Sequence, residues 1–531
     1  MIAARVTSGV AAPVNLRTSL RAIALIGIVV AVAAAYGAAI AWTGGHPLFA
    51  IGPFGVLLTA AVFARPIVGV YAAVAAALLF EQWGIVGLDS ITAQTHFFDN
   101  ISGFTGVDLR VSAADMLIAL TLAAWLAKRS GSAEREFRAG PLGYAISAYL
   151  FCFLVGVLIG LARGGAWDQA AMLAELRGPV YFVALYFLAT NLLRTRRDVM
   201  RMLVLMLSLV GAKAMQAIWN TAVISERGIW LEAVTSHEDV LFFNAAIVLA
   251  VASALLLGRS RTTYWLTALL PPIVLAELLT QRRIAFIALA AALLVVSVCL
   301  AAVRTRRTLM VMAAGTVALA AYFAVFWNQD RGILGQPVRA VKGIIAAEGI
   351  SERDRSSNLW RDIENANIAH TLREVPLTGV GLGQQYFFQQ EPPPLTGFTY
   401  WRYMTHNAVA WVWLKAGLLG FAVLWWIVVQ TVAVGARLVR QLEAPSDKLI
   451  ACLPIALVVG QVVYSSVDLG LTYSRPMIVL GVSLGLLAPL TSWVVDLPRA
   501  LSTVAPARSH LIPRHAATPP PPVAVQRSAV P

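Results

Sequence analysis

Charge is scarce in this chain. Only 13% of its 531 residues are Asp, Glu, Lys or Arg, against about 25% in a soluble domain. The shortfall excludes a water-facing surface over most of the molecule. Polar linkers are lacking as well, so the chain does not divide as a soluble chain of this length would. Cysteine is limited to Cys152, Cys299 and Cys452, all inside apolar runs and none at ligand spacing, which excludes a disulfide framework and a zinc site. There is no P-loop, no HExxH and no CxxC. No acidic cluster has obvious metal spacing, and no cofactor is expected.

What remains is apolar: 59% of the residues are hydrophobic, in runs that recur along the whole length. The formal charge of +14 would suggest nucleic acid in a soluble protein. Here the basic residues are those of cytoplasmic loops, and no nucleic acid is expected. A span needs about 20 apolar residues. Candidates lie near 22–42, 47–64, 66–84, 113–127, 141–162, 173–193, 199–218, 239–257, 263–280, 284–303, 308–327, 407–436, 449–467 and 476–495. The first is too long for a signal peptide and reads as an uncleaved helix. The fold class is therefore all-α: a polytopic membrane protein of about fourteen transmembrane helices, in contact with membrane lipids.

Charge orients the layout. With the N-terminus in the cytoplasm, Lys128, Arg129, Arg194, Arg196, Arg197, Arg259, Arg261, Arg304, Arg306, Arg307, Arg437 and Arg440 all fall inside. Both termini are then cytoplasmic. Four regions follow: helices over 1–327, a large extracytoplasmic loop over 328–406, helices over 407–496, and a Pro- and Arg-rich tail over 497–531 that reads as disordered. Within the loop, Leu359–Leu372 has neither Pro nor Gly and is expected to be helical.

Basic residues on the wrong side, or inside a span, are the informative ones, because an ionisable group there is costly. Arg282 and Arg283 sit at the outer end of a span. They could snorkel to headgroups, but guanidinium forks match phosphate oxygens, and the position favours an anion clamp. Arg177, near the outer end of another span, suits either function or a structural ion pair. Lys213 could face a polar cavity, snorkel outward or pair with a carboxylate. His406 stands where a helix begins, with Asn407 a capping candidate. It could merely cap the helix. It could also serve as a general base, since a helix N-terminus disfavours added positive charge and a base must be neutral. His46, His237 and His370 read as ordinary surface or interfacial residues. Gly379, Gly381 and Gly383 could expose amides to phosphate or form a plain turn.

Three blocks in order resemble the O-antigen ligase and polymerase superfamily. The first is Thr280-Gln281-Arg282-Arg283-Ile284-Ala285. That family usually has a small residue before its arginine, so Arg283 is the match and Arg282 a departure. The second runs from Arg355 through Trp360 and Arg361 to Pro376, Gly379, Gly381 and Gly383. The third is His406-Asn407 with Gly417 to Gly420 behind it. Arg177 is a looser match to an earlier outer-side arginine. The resemblance covers roughly 270–430. It implies a glycan donor on undecaprenyl pyrophosphate and a glycan or lipid-core acceptor, in polysaccharide assembly at the bacterial inner membrane. It implies that Arg283, with Arg177 and Arg282, holds the pyrophosphate on the extracytoplasmic side. His406 would deprotonate the acceptor hydroxyl, with inversion and without a metal. Polymerase, ligase and protein glycosylation use the same donor chemistry and stay open. So does a secondary transporter, though neither paired repeats nor broken midplane helices stand out.

Overall fold

The computed structural model describes residues 31, 34–35, 37–38, 41–42 and 47–494, without 83, 85–89, 91, 101–109, 132–135, 227–233, 330–331, 346–351 and 396–397. Most of the span expected at 22–42 and the tail from 497 lie outside the described residues, as does His46.

Fourteen helices follow one another among the described residues: α1 (Pro47–Ala64), α2 (Ile67–Leu79), α3 (Ala113–Ser130), α4 (Gly143–Arg163), α5 (Gln169–Leu192), α6 (Arg196–Glu226), α7 (Asp239–Leu257), α8 (Arg261–Leu279), α9 (Arg283–Phe326), α10 (Gln336–Ile345), α11 (Glu352–Glu374), α12 (Ala408–Gln441), α13 (Pro445–Ser465) and α14 (Ser474–Gly485). Nine helical segments among them are long and apolar enough to cross a membrane, the last running on from α14 to Val494. A helix apolar on all sides needs either a protein core or lipid around it. Both occur here. The apolar windows of α13 and α7 are 83% and 78% buried within the protein, whereas that of α8 is 28% buried. α13 packs against α7, α9 and α12, and α14 lies along α5. The outer helices show Phe151, Leu158, Val298, Leu419 and Val429 to the surroundings, as a lipid-facing rim requires.

The 44-residue α9 is not one rod. Arg304 has non-helical angles (φ −134°, ψ 47°) in its middle. A straight helix of that length would hold its ends about 65 Å apart. Yet short α10 meets both ends: a Cβ on Gly343 would touch the Arg283 guanidinium at 3.0 Å, and Lys342 Nζ lies 5.4 Å from the centre of the Trp327 ring. The chain therefore turns back at Arg304. The two expected spans, 284–303 and 308–327, are the arms of that hairpin, and the basic cluster Arg304, Arg306 and Arg307 is its tip.

Two outer helices complete the fold. α10 is amphipathic, with Val338 and Ala340 buried. α11 contains the stretch Leu359–Leu372 and packs on the start of α12. From α11 the chain enters a glycine-rich segment wedged between α4 and α12. Val380 and Gly381 donate their amides to Leu414 O, Leu382 donates to Gly156 O, and Gly383 donates to the Glu175 carboxylate at 2.6 Å. Glycine is required at Gly381: φ is +86°, and a Cβ would lie 2.4 Å from the Gly160 nitrogen.

Candidate active site

The arginine pair is presented by a tight turn. α8 stops at Leu279, and the Thr280 hydroxyl folds back onto Glu277 O at 2.6 Å. Gln281 takes a left-handed conformation (φ +54°), unusual for a residue with a side chain. Arg282 is extended and opens α9 at Arg283. Both side chains line a cavity of about 270 Å³, closed by Arg339 of α10, by Asn358 and Arg361 of α11, and by Asp468 of the α13–α14 loop. Among its described lining residues, four guanidiniums face a single carboxylate. That excess of positive charge is complementary to an anion.

Each group is held. Arg283 Nη2 donates to Asn358 Oδ1 at 3.1 Å. Arg361 donates from Nε to Val467 O at 3.2 Å and from Nη1 to Ser357 Oγ at 2.6 Å. Burial lowers the Arg361 guanidinium from its usual value, Asp468 opposes this, and Arg282 and Arg283 add to the fall. Burial would raise the Asp468 carboxyl, but Arg282, His237, His406 and the Leu469 amide together bring it below its ordinary value. Arg282 donates to His237 Nε2. Burial first, and then Arg282 itself, push His237 down to about 3, so the ring is neutral and can accept that bond. His237, expected as an ordinary surface or interfacial residue, is half-buried and accepts from a cavity arginine.

His406 stands beside this cavity, near enough for its charge to bear on Asp468 and His237. Its backbone amide donates to both oxygens of Glu364 at 3.0 and 3.1 Å, and its Nδ1 is 3.2 Å from Glu364 Oε1. The Trp360 ring meets the imidazole edge-on, with centroids 4.9 Å apart. Asn407 is the N-cap of α12: its side-chain oxygen accepts from Ala410 N at 3.1 Å, and its amide donates to Asn365. The capping role therefore belongs to Asn407, which leaves the imidazole for other work.

The structure thus gathers Arg282, Arg283, Arg361, His406 and Asn407 about α11. It places the other candidates elsewhere. Arg177 pairs with Asp115 at 3.1 Å and donates to Arg110 O, beyond the cavity lining. Lys213 is buried and ion-paired with Glu81 at 2.5 Å, in a cluster that also holds Asp239, Glu238 and Arg475. The amides of Gly379, Gly381 and Gly383 are all bonded within the protein, Gly379 to Val375 O, so the segment presents no free nest for phosphate.

Several site residues escaped the sequence reading. Asp468 is the one acidic residue between the apolar runs 449–467 and 476–495, a signal the sequence did carry. Arg339 and Glu364 carry no such mark, because a charged residue in a polar loop is ordinary until its neighbours are known.

Residues 246–425 match the family model described as O-antigen ligase. The matched stretch takes in the arginine turn, α10, α11, the glycine segment and His406. A comparison with curated proteins finds no match. With its apolar helices the chain is a multi-pass membrane protein, and its residues 246–425 are similar to the O-antigen ligase family.

Proposed function

We propose that the chain is a membrane glycosyltransferase that moves a glycan from undecaprenyl pyrophosphate to an acceptor hydroxyl, at the outer face of a bacterial inner membrane. One observation carries the reading: a cavity of four arginines with His406 held at its side by the same helix. A pyrophosphate carries the charge that four guanidiniums would neutralise. The cavity lies where α8 hands over to α9, so an isoprenoid tail could stay in the bilayer beside the helices.

In this reading, Arg282, Arg283, Arg339 and Arg361 hold the pyrophosphate and stabilise the charge that grows on it as it leaves. His406 takes the proton of the acceptor hydroxyl. The oxygen attacks the anomeric carbon from the face opposite the departing phosphate, which inverts that centre. Transfer is favoured over transport because the ionisable residues of the cavity cluster at helix ends, where α8 stops and α9 begins, rather than midway along a span.

The test is transfer by purified protein, using lipid-linked oligosaccharide extracted from a strain deleted for this chain. A ladder on a gel identifies a polymerase; one shifted product with added lipid core identifies a ligase. Absence of product from folded wild-type protein with intact donor would defeat the reading.

A further inference from the structure

We propose that Glu364 is a positioning residue that fixes the His406 imidazole with its proton on Nδ1, so that Nε2 faces the acceptor hydroxyl; this rests on His406 acting as the base. The Glu364 side chain is 1% exposed, and that of His406 is 21% exposed. A carboxylate only accepts hydrogen bonds. Its contact with Nδ1 at 3.2 Å therefore requires the proton to be there, which leaves the Nε2 lone pair for the reaction. The two contacts from the His406 amide fix the backbone, and the Trp360 ring limits rotation of the imidazole. Glu364 has no duty as a helix cap, since Asn407 fills that place on α12.

The step balances. The acceptor O–H bond breaks and its proton goes to Nε2. The oxygen forms a bond to the anomeric carbon, and the bond to phosphate breaks with its electron pair on the leaving pyrophosphate. The imidazolium that forms is stabilised by Glu364 until it returns the proton to water. One helix thus ties the base to the anion site, because Arg361 precedes Glu364 by three residues.

Two measurements decide this, both on the full-length protein. In wild-type protein labelled with ¹⁵N-histidine, His406, identified among seven histidines by its loss in His406→Gln, is expected to carry its proton on Nδ1. In Glu364→Gln that preference is expected to vanish, because an amide can donate or accept. A wild-type proton on Nε2 would overturn the proposal without any activity measurement. In transfer assays with extracted lipid-linked oligosaccharide, Glu364→Gln should lower kcat on the order of 10²–10³-fold, with KM for donor within about twofold. Glu364→Asp should recover part of that loss.

The rising limb of kcat against pH should also move to lower pH in Glu364→Gln, because the imidazolium has lost its partner. The other titratable groups about His406 are the charged Asp468, the neutral His237 and, next to Glu364, the charged Arg361 and the neutral Tyr386, and all are unchanged in the variant. A purely structural role would lower the rate evenly and leave that limb in place. Wild-type rate in Glu364→Gln beside an inactive His406→Ala would overturn the role of Glu364 alone. Full activity of His406→Ala would overturn the base reading and this role with it.

Discussion

Arg361 and Glu364 share one face of α11, the first lining the arginine-rich cavity and the second bonded to His406. Each also lies within electrostatic reach of the other. In the proposed reaction the group that stabilises the leaving phosphate and the group that steadies the base therefore move together. A displacement of α11 would disable both at once.

Arg283→Ala is expected to reduce kcat/KM by roughly 10²–10³, the usual effect of removing one donor to a developing negative charge. Membrane insertion should be unchanged, as measured by its amount in washed membranes. Arg283→Lys should restore little, because an ammonium cannot present the planar fork that also reaches Asn358. Normal polymer from Arg283→Ala would refute the anion role.

Arg475 illustrates the opposite kind of charge. Its guanidinium is fully buried, bonded to Glu238 at 2.7 Å and to Asp239 at 2.5 Å. Arg475→Leu leaves buried Glu238 without its cation and Asp239 with only the more distant Lys213, at an expected loss of about 3–5 kcal/mol. The melting temperature in detergent should fall steeply. Lys213→Met, in the same cluster, should also lower the melting temperature while kcat of the folded fraction holds. A fall in kcat without a fall in stability would instead give Lys213 a functional role.

Gly381→Ala should destabilise the protein by on the order of 2–4 kcal/mol. Two effects add: the left-handed backbone, and a Cβ driven against the backbone of α4 at Gly160. Thermal unfolding in detergent measures it. A variant as stable as the wild type would show that the glycine segment does not need its close fit.

His237 makes stability fall in acid. Its folded value of about 3 lies below the 6.5 of an ordinary histidine, so the unfolded chain binds the proton and the folded one does not. The stabilisation is complete above pH about 6.5 and is lost progressively as pH drops towards about 3. His237→Gln keeps an acceptor for Arg282 and has no proton to take up. Its melting temperature should therefore decline less between pH 7 and pH 4 than that of the wild type. Equal declines would show that other groups dominate.

Local signals carried a good part of this architecture. An apolar run long enough to span a bilayer needs no partner to be recognised, because the backbone in lipid must satisfy its own hydrogen bonds. A basic pair at the end of a span is costly wherever the helices pack, so Arg282 and Arg283 stood out before any fold was known. The same is true of Asn407 as a cap, since capping depends on the adjacent turn alone.

Which charge meets which was decided only in three dimensions. The reversal at Arg304 brings α10 back over Arg283, and α11 sets Arg361 and Glu364 between the cavity and His406. Arg177 and Lys213, marked by the same local signal as Arg283, instead find Asp115 and Glu81, more than sixty residues and more than a hundred residues away in the chain. A basic residue in a span announces the cost of burying its charge, and the sequence records that cost. The partner that offsets it comes from whichever helix packs alongside, and helix neighbours follow from side-chain packing over the whole bundle rather than from spacing along the chain.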